Sequence, residues 1–297
     1  MAPRASSDKM LMFSNEFLVT RNLLDWLAQQ HGIEVLTLEV ALPVVDDETT
    51  FLAPLRRLLD AHPGVRFATF AHVASTPGIV QPAKALTCLL HERGVTVAID
   101  GAHAPGQIDL DVADVGADFY FGNCHKWLQA PRGCAFLWTS PRYQAQVVPT
   151  VISYEFDGAD YLGRFLYVGT RDYCPMVALR HALEFREAAG DAAIKAYNHR
   201  LAWWAGTHLA RVWGTDLLAP EAYVGAMVDV RLPLPSLQAA TALHQWLLDT
   251  HDTFILVHEQ GGRPYTRLSA QIFLEEADFV ELGERVLAYV QQHATRE

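Results

Sequence analysis

The chain has 297 residues, 51% hydrophobic and 19% charged, which suits one large domain or two modest ones and excludes wholesale disorder. Lys and Arg number 23 against 34 Asp and Glu, a formal net charge of −11. That balance excludes the basic footprint of a general nucleic-acid binder but leaves room for a local cationic pocket.

In chain order, MAPRASSDKM (1–10) lacks the apolar centre of a secretory leader, and no later apolar run reaches the ~18–20 residues of a membrane span. A reduced, cytoplasmic protein with no membrane partner is therefore expected. A core strand is predicted at once, at 10–13 (MLMF), then a helix over 16–31 and a strand over 35–40. Helices over 50–62 and 82–93 alternate with strands at 65–70 and 95–99, and further strands follow at 117–122 and 134–138. Strands alternating with helices predict an α/β fold with a mainly parallel sheet covered on both faces. Residues 140–175 read as a long irregular stretch, punctuated by Pro141, Pro149, Gly158, Gly163 and Gly169. One helical pattern then runs from about Pro175 to Ala210. After Leu217 come a strand (AMVDVRL), a helix (LQAATALHQWLLD), a strand (YTRLSAQIF) and a closing helix (ADFVELGERVLAYVQQH), a smaller α+β unit.

Open α/β sheets bind ligands beyond the carboxyl ends of their strands. Three predicted strands end in polar clusters: AHVASTPG (71–78), DGAH (100–103) and GNCHKW (122–127). Singly, an Asp after a strand reads as a cap or turn residue and a lysine as solvent-facing. Their convergence on one sheet edge points to a site. Lys126, set among Phe119, Tyr120, Phe121 and Trp127, has the desolvated surroundings that free a lysine amine for Schiff-base chemistry. A buried aspartate beside a pyridine nitrogen would keep that nitrogen protonated.

The run VAIDGAHAPGQIDLDVADVGADFYFGNCHKWLQAPRGCAFLW (97–138) resembles the class V (fold type I) aminotransferase family of pyridoxal-phosphate enzymes, nearest its isopenicillin N epimerase-like branch. SNEFLVTRN (14–22), YVGTRDYCP (167–175) and RLSAQIF (267–273) extend the resemblance over nearly the whole chain. It implies a three-layer large domain over about 9–195 and a small α+β domain over 196–297. It also implies pyridoxal 5′-phosphate as cofactor, a homodimer with shared sites, and an amino-acid-like substrate. Lys126 would be the Schiff-base lysine, Asp100 would hold the ring nitrogen, and His103 would lie near O3′ and the scissile bonds. His125 would help with the phosphate, Ser75 would approach the ring, and Phe17 would stack on it. Thr170 would reach a neighbouring subunit's phosphate, and Arg267 would grip the substrate carboxylate as a planar fork.

The cysteines, Cys88, Cys124, Cys134 and Cys174, form no Cys-x-x-Cys pair, so neither a disulfide framework nor a metal site is predicted. HEQGGRPYT (258–266), just before Arg267, contains no cysteine, which argues against a desulfurase. Family members carry more chain before the position of residue 10, including a small-residue loop that opens a helix onto the phosphate. The resemblance therefore implies a large domain without its usual N-terminal portion and an incomplete cofactor site. Epimerisation or transamination is the leading expectation, with a lyase of the same family or a non-catalytic dimeric scaffold as alternatives.

Overall fold

The computed structural model describes residues 8–294 except 155, 158 and 159; residues 1–7 and Gly158, read above, lie outside them. The first sheet is built from β1 (Lys9–Phe13), β2 (Glu34–Leu38), β3 (Val65–Ala71), β4 (Thr96–Asp100), β5 (Phe119–Asn123) and β6 (Ala135–Thr139), in the order β2-β1-β3-β4-β5-β6. Pairing is parallel from β2 through β5, and only β6 runs antiparallel at the edge. The α/β reading with a mainly parallel sheet therefore stands.

The central strands are apolar on both faces, as a sheet covered on two sides requires. Ala68, Phe70, Val97 and Ile99 are fully buried, and Phe13 stacks on Phe70 with ring centroids 5.1 Å apart. Helices α1 (Leu18–His31), α2 (Ala53–Ala61) and α3 (Ala83–Glu92) supply crossovers, and the short α4 (Val112–Val115) precedes β5. Because β1, β3, β4 and β5 are parallel, the segments after them emerge on one edge. Asn15–Glu16–Phe17, the Ser75 loop, Asp100 and Lys126 are thereby gathered at a single place.

The stretch read as irregular contains two short helices, α6 (Pro141–Gln144) and α7 (Tyr161–Leu166). The helical pattern read as continuous from 175 is two helices, α8 (Cys174–Ala189) and α9 (Asp191–Trp213). The break falls at Gly190, whose φ of 87° is left-handed and ends the first helix.

A second, antiparallel sheet has the order β7-β9-β8, from β7 (Met227–Arg231), β8 (Leu256–Gln260) and β9 (Arg263–Ser269). Strand β8 was not foreseen. It lies partly within the polar run HEQGG, which reads as loop until the Gly261–Gly262 turn folds it back on β9. Helices α9, α10 (Leu237–His251) and α11 (Glu276–Ala294) cover this sheet over a core that includes Leu209, Leu243, Leu247 and Val286. Gly206 lets α9 press against β7, since a Cβ there would lie 2.8 Å from the Val228 side chain.

Candidate active site

Asp100 is the last residue of β4 and is nearly buried. Its Oδ1 accepts the backbone N–H of Ala102 at 2.8 Å. Burial raises its pKa, while the Ala102 N–H and the Lys126 charge oppose the rise. Lys126 lies in α5 (Cys124–Trp127), the single helical turn that follows β5 without a linker. Burial lowers its pKa, Asp100 acts against that shift and Arg267 adds to it. Among the described residues its amine has no hydrogen-bond partner, so it is available to a ligand.

His103 follows Asp100 by three residues. The indole Nε1–H of Trp127 donates to its Nδ1 at 3.2 Å. Its pKa falls to about 3, first through burial and then through the positive charges of Lys126 and Arg267. The imidazole is therefore neutral, and Nε2 is left as its donor. His125 points its Nδ1 at the Cys134 carbonyl, 2.9 Å away. A carbonyl only accepts, so Nδ1 carries a proton there, and Nε2 has no hydrogen-bond partner among the described residues.

Arg267 lies on β9, in the middle of the small sheet. Its Nη1 donates to the Ser75 carbonyl at 2.7 Å and to the Ser75 hydroxyl at 3.2 Å. Its Nε is buried and unpartnered. Asp229, paired across the ladder from Arg267, is buried and favours the guanidinium charge. Asp229 also accepts the Gly78 N–H at 2.6 Å and His258 Nε2 at 2.7 Å. A Cβ at Gly78 would stand 2.8 Å from the Met227 Cβ and 3.2 Å from the Arg267 Cδ. The Ser75 loop and the Arg267 strand are thus packed backbone to side chain.

The structure brings Asp100, His103, Lys126, Ser75 and Arg267 into one electrostatically connected group. Phe17 lies on the same sheet edge, half exposed at the start of α1. Thr170 does not join the group within this chain. Its hydroxyl faces that of Tyr167 at 3.4 Å, inside an exposed loop.

Several contributors were missed. Glu16 is buried, its Oε1 accepting the Phe17 N–H at 3.0 Å and its Oε2 unpartnered, and its pKa rises to about 7. Burial is the main cause, the Asp100 charge adds to it, and Thr69 and Arg21 oppose it. His72, by its place before the Ser75 loop a satisfied strand-end histidine, is paired with Tyr120 at 2.9 Å, with burial pulling its pKa down to about 4. Asp229 left a visible signal, a carboxylate in the apolar run AMVDVRL. Glu16 left none, because its burial comes from strands distant in sequence.

The class-V aminotransferase family model matches residues 6–232. The chain belongs to the class-V aminotransferase family. Among its relatives, isopenicillin N epimerase of Streptomyces clavuligerus is 33% identical over 93% of this chain and 72% of that protein. Hercynylcysteine sulfoxide lyase of Schizosaccharomyces pombe is 29% identical over 95% of this chain and 73% of that protein. Among solved structures, a variant of C-DES with glycine covalently linked to its pyridoxal-phosphate cofactor superposes with a TM-score of 0.77. It is 21% identical and covers 94% of this chain and 74% of its own, a likeness of fold.

Class-V membership makes pyridoxal 5′-phosphate the cofactor, and the donor set fits it. Lys126 offers an unpartnered amine for the aldehyde. Asp100 keeps a carboxylate oxygen unused for the ring nitrogen, and neutral His103 offers an N–H beside them.

Proposed function

We propose that this class-V protein abstracts the α-proton of an amino acid or peptide-like amine and carries the reaction on to epimerisation or transamination. The observation that carries the reading is the placement of the part-buried Lys126 amine in one electrostatically coupled group with Asp100 and Arg267. When bound, pyridoxal phosphate supplies an electron sink for charge that develops on the substrate's α-carbon. Asp100 holds a proton on the ring nitrogen and so keeps that sink electron-poor. Arg267 meets the substrate carboxylate with its unpartnered Nε and the N–H beside it, a planar fork matched to two oxygens. The lowered pKa of Lys126 favours a free amine that takes the α-proton and can return it. His103 donates from Nε2 to an oxygen that gains charge. His125 serves the phosphate as an N–H donor from Nε2, its Nδ1–H being held by the Cys134 carbonyl, and Phe17 covers a ring face.

The reading includes a cytoplasmic homodimer in which Thr170 serves the neighbouring site. Exposed Leu162, Leu166, Val177, Leu183 and Phe185 on α7 and α8 support a covered face there. A second reading, a lyase that expels a sulfur group from Cβ after the same proton step, draws support from the 29% identity to the sulfoxide lyase.

Both readings are tested by incubating the protein, pyridoxal phosphate and candidate amino acids in deuterium oxide. Epimerisation gives deuterium at the α-carbon with inverted configuration and no keto acid. Transamination gives stoichiometric keto acid. A lyase gives pyruvate, ammonia and a thiol or sulfenate from cysteine derivatives. Absence of α-deuteration, keto acid and pyruvate with every amino acid, in protein that binds the cofactor, overturns both.

A further inference from the structure

Arg186 lies in α8, in the run LRHALEFREAA, where a charge reads as belonging to the wet face. It is instead 1% exposed, the largest fully buried side chain among the described residues. A buried guanidinium is costly unless its N–H groups are met, and here the partners are specific. Nε donates to Asp191 at 2.6 Å, Nη1 to the Trp127 carbonyl at 2.7 Å and to Gln129 Oε1 at 2.9 Å, and Nη2 to the Gly106 carbonyl at 2.9 Å.

Two of these acceptors belong to the two segments that carry the site's nitrogen groups. Trp127 closes α5, one residue after Lys126. Gly106 ends the loop that leaves Asp100 and carries His103. The two backbones meet there: a Cβ at Gly106 would lie 2.7 Å from the Trp127 carbonyl oxygen, and Gly106 has a φ of 79°. The indole of Trp127 adds its bond to His103 from the same corner. A methionine of similar length would fill the space Arg186 occupies but could not donate to either carbonyl.

We infer that Arg186 is a positioning residue that fixes the Lys126 turn against the Asp100–His103 loop by holding one carbonyl from each. Asp191, at the first position of α9, supplies its counter-charge and is itself held by Lys195. Removing the guanidinium leaves both carbonyls without a donor at the point of contact. The Lys126 turn then loses its register with Asp100 and His103, while Asp100, held at the end of β4, keeps its place. The inference rests on the reading of Lys126 as the residue that bonds the cofactor aldehyde.

The test compares two ligands that differ only at the reacting carbon. Pyridoxal 5′-phosphate can bond Lys126, and the linkage is trapped with borohydride and located by mass spectrometry. Pyridoxine 5′-phosphate carries an alcohol there and cannot. For Arg186→Met, affinity for pyridoxal 5′-phosphate and the yield trapped on Lys126 are expected to fall at least about tenfold, with pyridoxine 5′-phosphate affinity by calorimetry falling about threefold at most. Arg186→Lys, which keeps the charge beside Asp191, is expected to fall between and decides the matter alone if the methionine variant does not fold. Equal losses for both ligands, or no loss for either, overturn the inference. A wild-type protein that binds both ligands equally and traps nothing on Lys126 overturns the role of Lys126, and this inference with it.

Discussion

The indole N–H of Trp127 donates to Nδ1 of His103 across 3.2 Å, and because an indole only donates, the neutral imidazole must carry its proton on Nε2. Replacing Trp127 with Phe keeps the aromatic bulk and releases the tautomer. Nitrogen-15 NMR of His103 is then expected to show Nδ1 partly protonated, with a loss of about tenfold in turnover, the worth of one hydrogen bond. The Lys126 charge also helps to hold the His103 pKa down at about 3. Lys126→Met removes a nearby cation and makes protonation easier, so the His103 midpoint is expected to move up. A midpoint that stays in place would separate the two residues.

Glu16 gives stability a dependence on alkali. Its folded pKa, about 7, lies above the ordinary 4.5, so the folded state binds the extra proton between those values. Stability attached to this group is complete below about pH 4.5 and is lost as pH rises through 7, by about 3 kcal/mol for a shift of this size. Glu16→Gln is expected to remove that loss, leaving urea midpoints at pH 5 and pH 8 closer together than in wild type. Thr69→Val removes a bond that favours the carboxylate, so the Glu16 midpoint is expected to rise further.

His72 works in the opposite direction. Its folded pKa of about 4 lies below the ordinary 6.5, so the unfolded state binds the extra proton. Its contribution is present above about pH 6.5 and is lost as pH falls toward 4, again by about 3 kcal/mol. His72→Gln is expected to flatten the acid limb of the stability curve while costing about 1–3 kcal/mol at neutral pH through the lost bond to Tyr120. An unchanged acid limb in denaturant titrations would assign it to other groups.

Arg267→Gln keeps a planar side chain with a donor but removes the charge and the fork. With the substrate carboxylate as its partner, the loss is expected to be about 3 kcal/mol, a roughly hundredfold rise in KM with a smaller change in kcat. Substrate analogues that lack the carboxylate should not distinguish variant from wild type. If they lose as much, the guanidinium serves the Ser75 loop instead.

Much of this was legible in the sequence because the fold signal is local. Alternating strands and helices announce themselves by periodicity, and parallel strands place the segments after them on one edge, which brings the Asp100 and Lys126 clusters to one place, while the roles of the two residues come from the family resemblance. What escaped depends on partners distant along the chain. Arg186 meets Trp127 and Gly106 from nearly sixty and eighty residues away, and nothing in EFREAA marks a buried charge. Glu16 is covered by strands that follow it. The break at Gly190 was hidden because helical spacing continues on both sides, and β8 because its polar residues resemble a loop. The antiparallel sense of β6 follows from its short return from α5, a matter of connection length that periodicity does not report.

Gly78 has no side chain, and its neighbours use the vacancy: Met227 and Arg267 stand where a Cβ would be, and Asp229 grips its N–H. The approach of the Ser75 loop to the Arg267 strand is therefore gauged by a single missing methyl group. Gly78→Ala would leave each reactive group chemically untouched and yet press on the side chains of Met227 and Arg267.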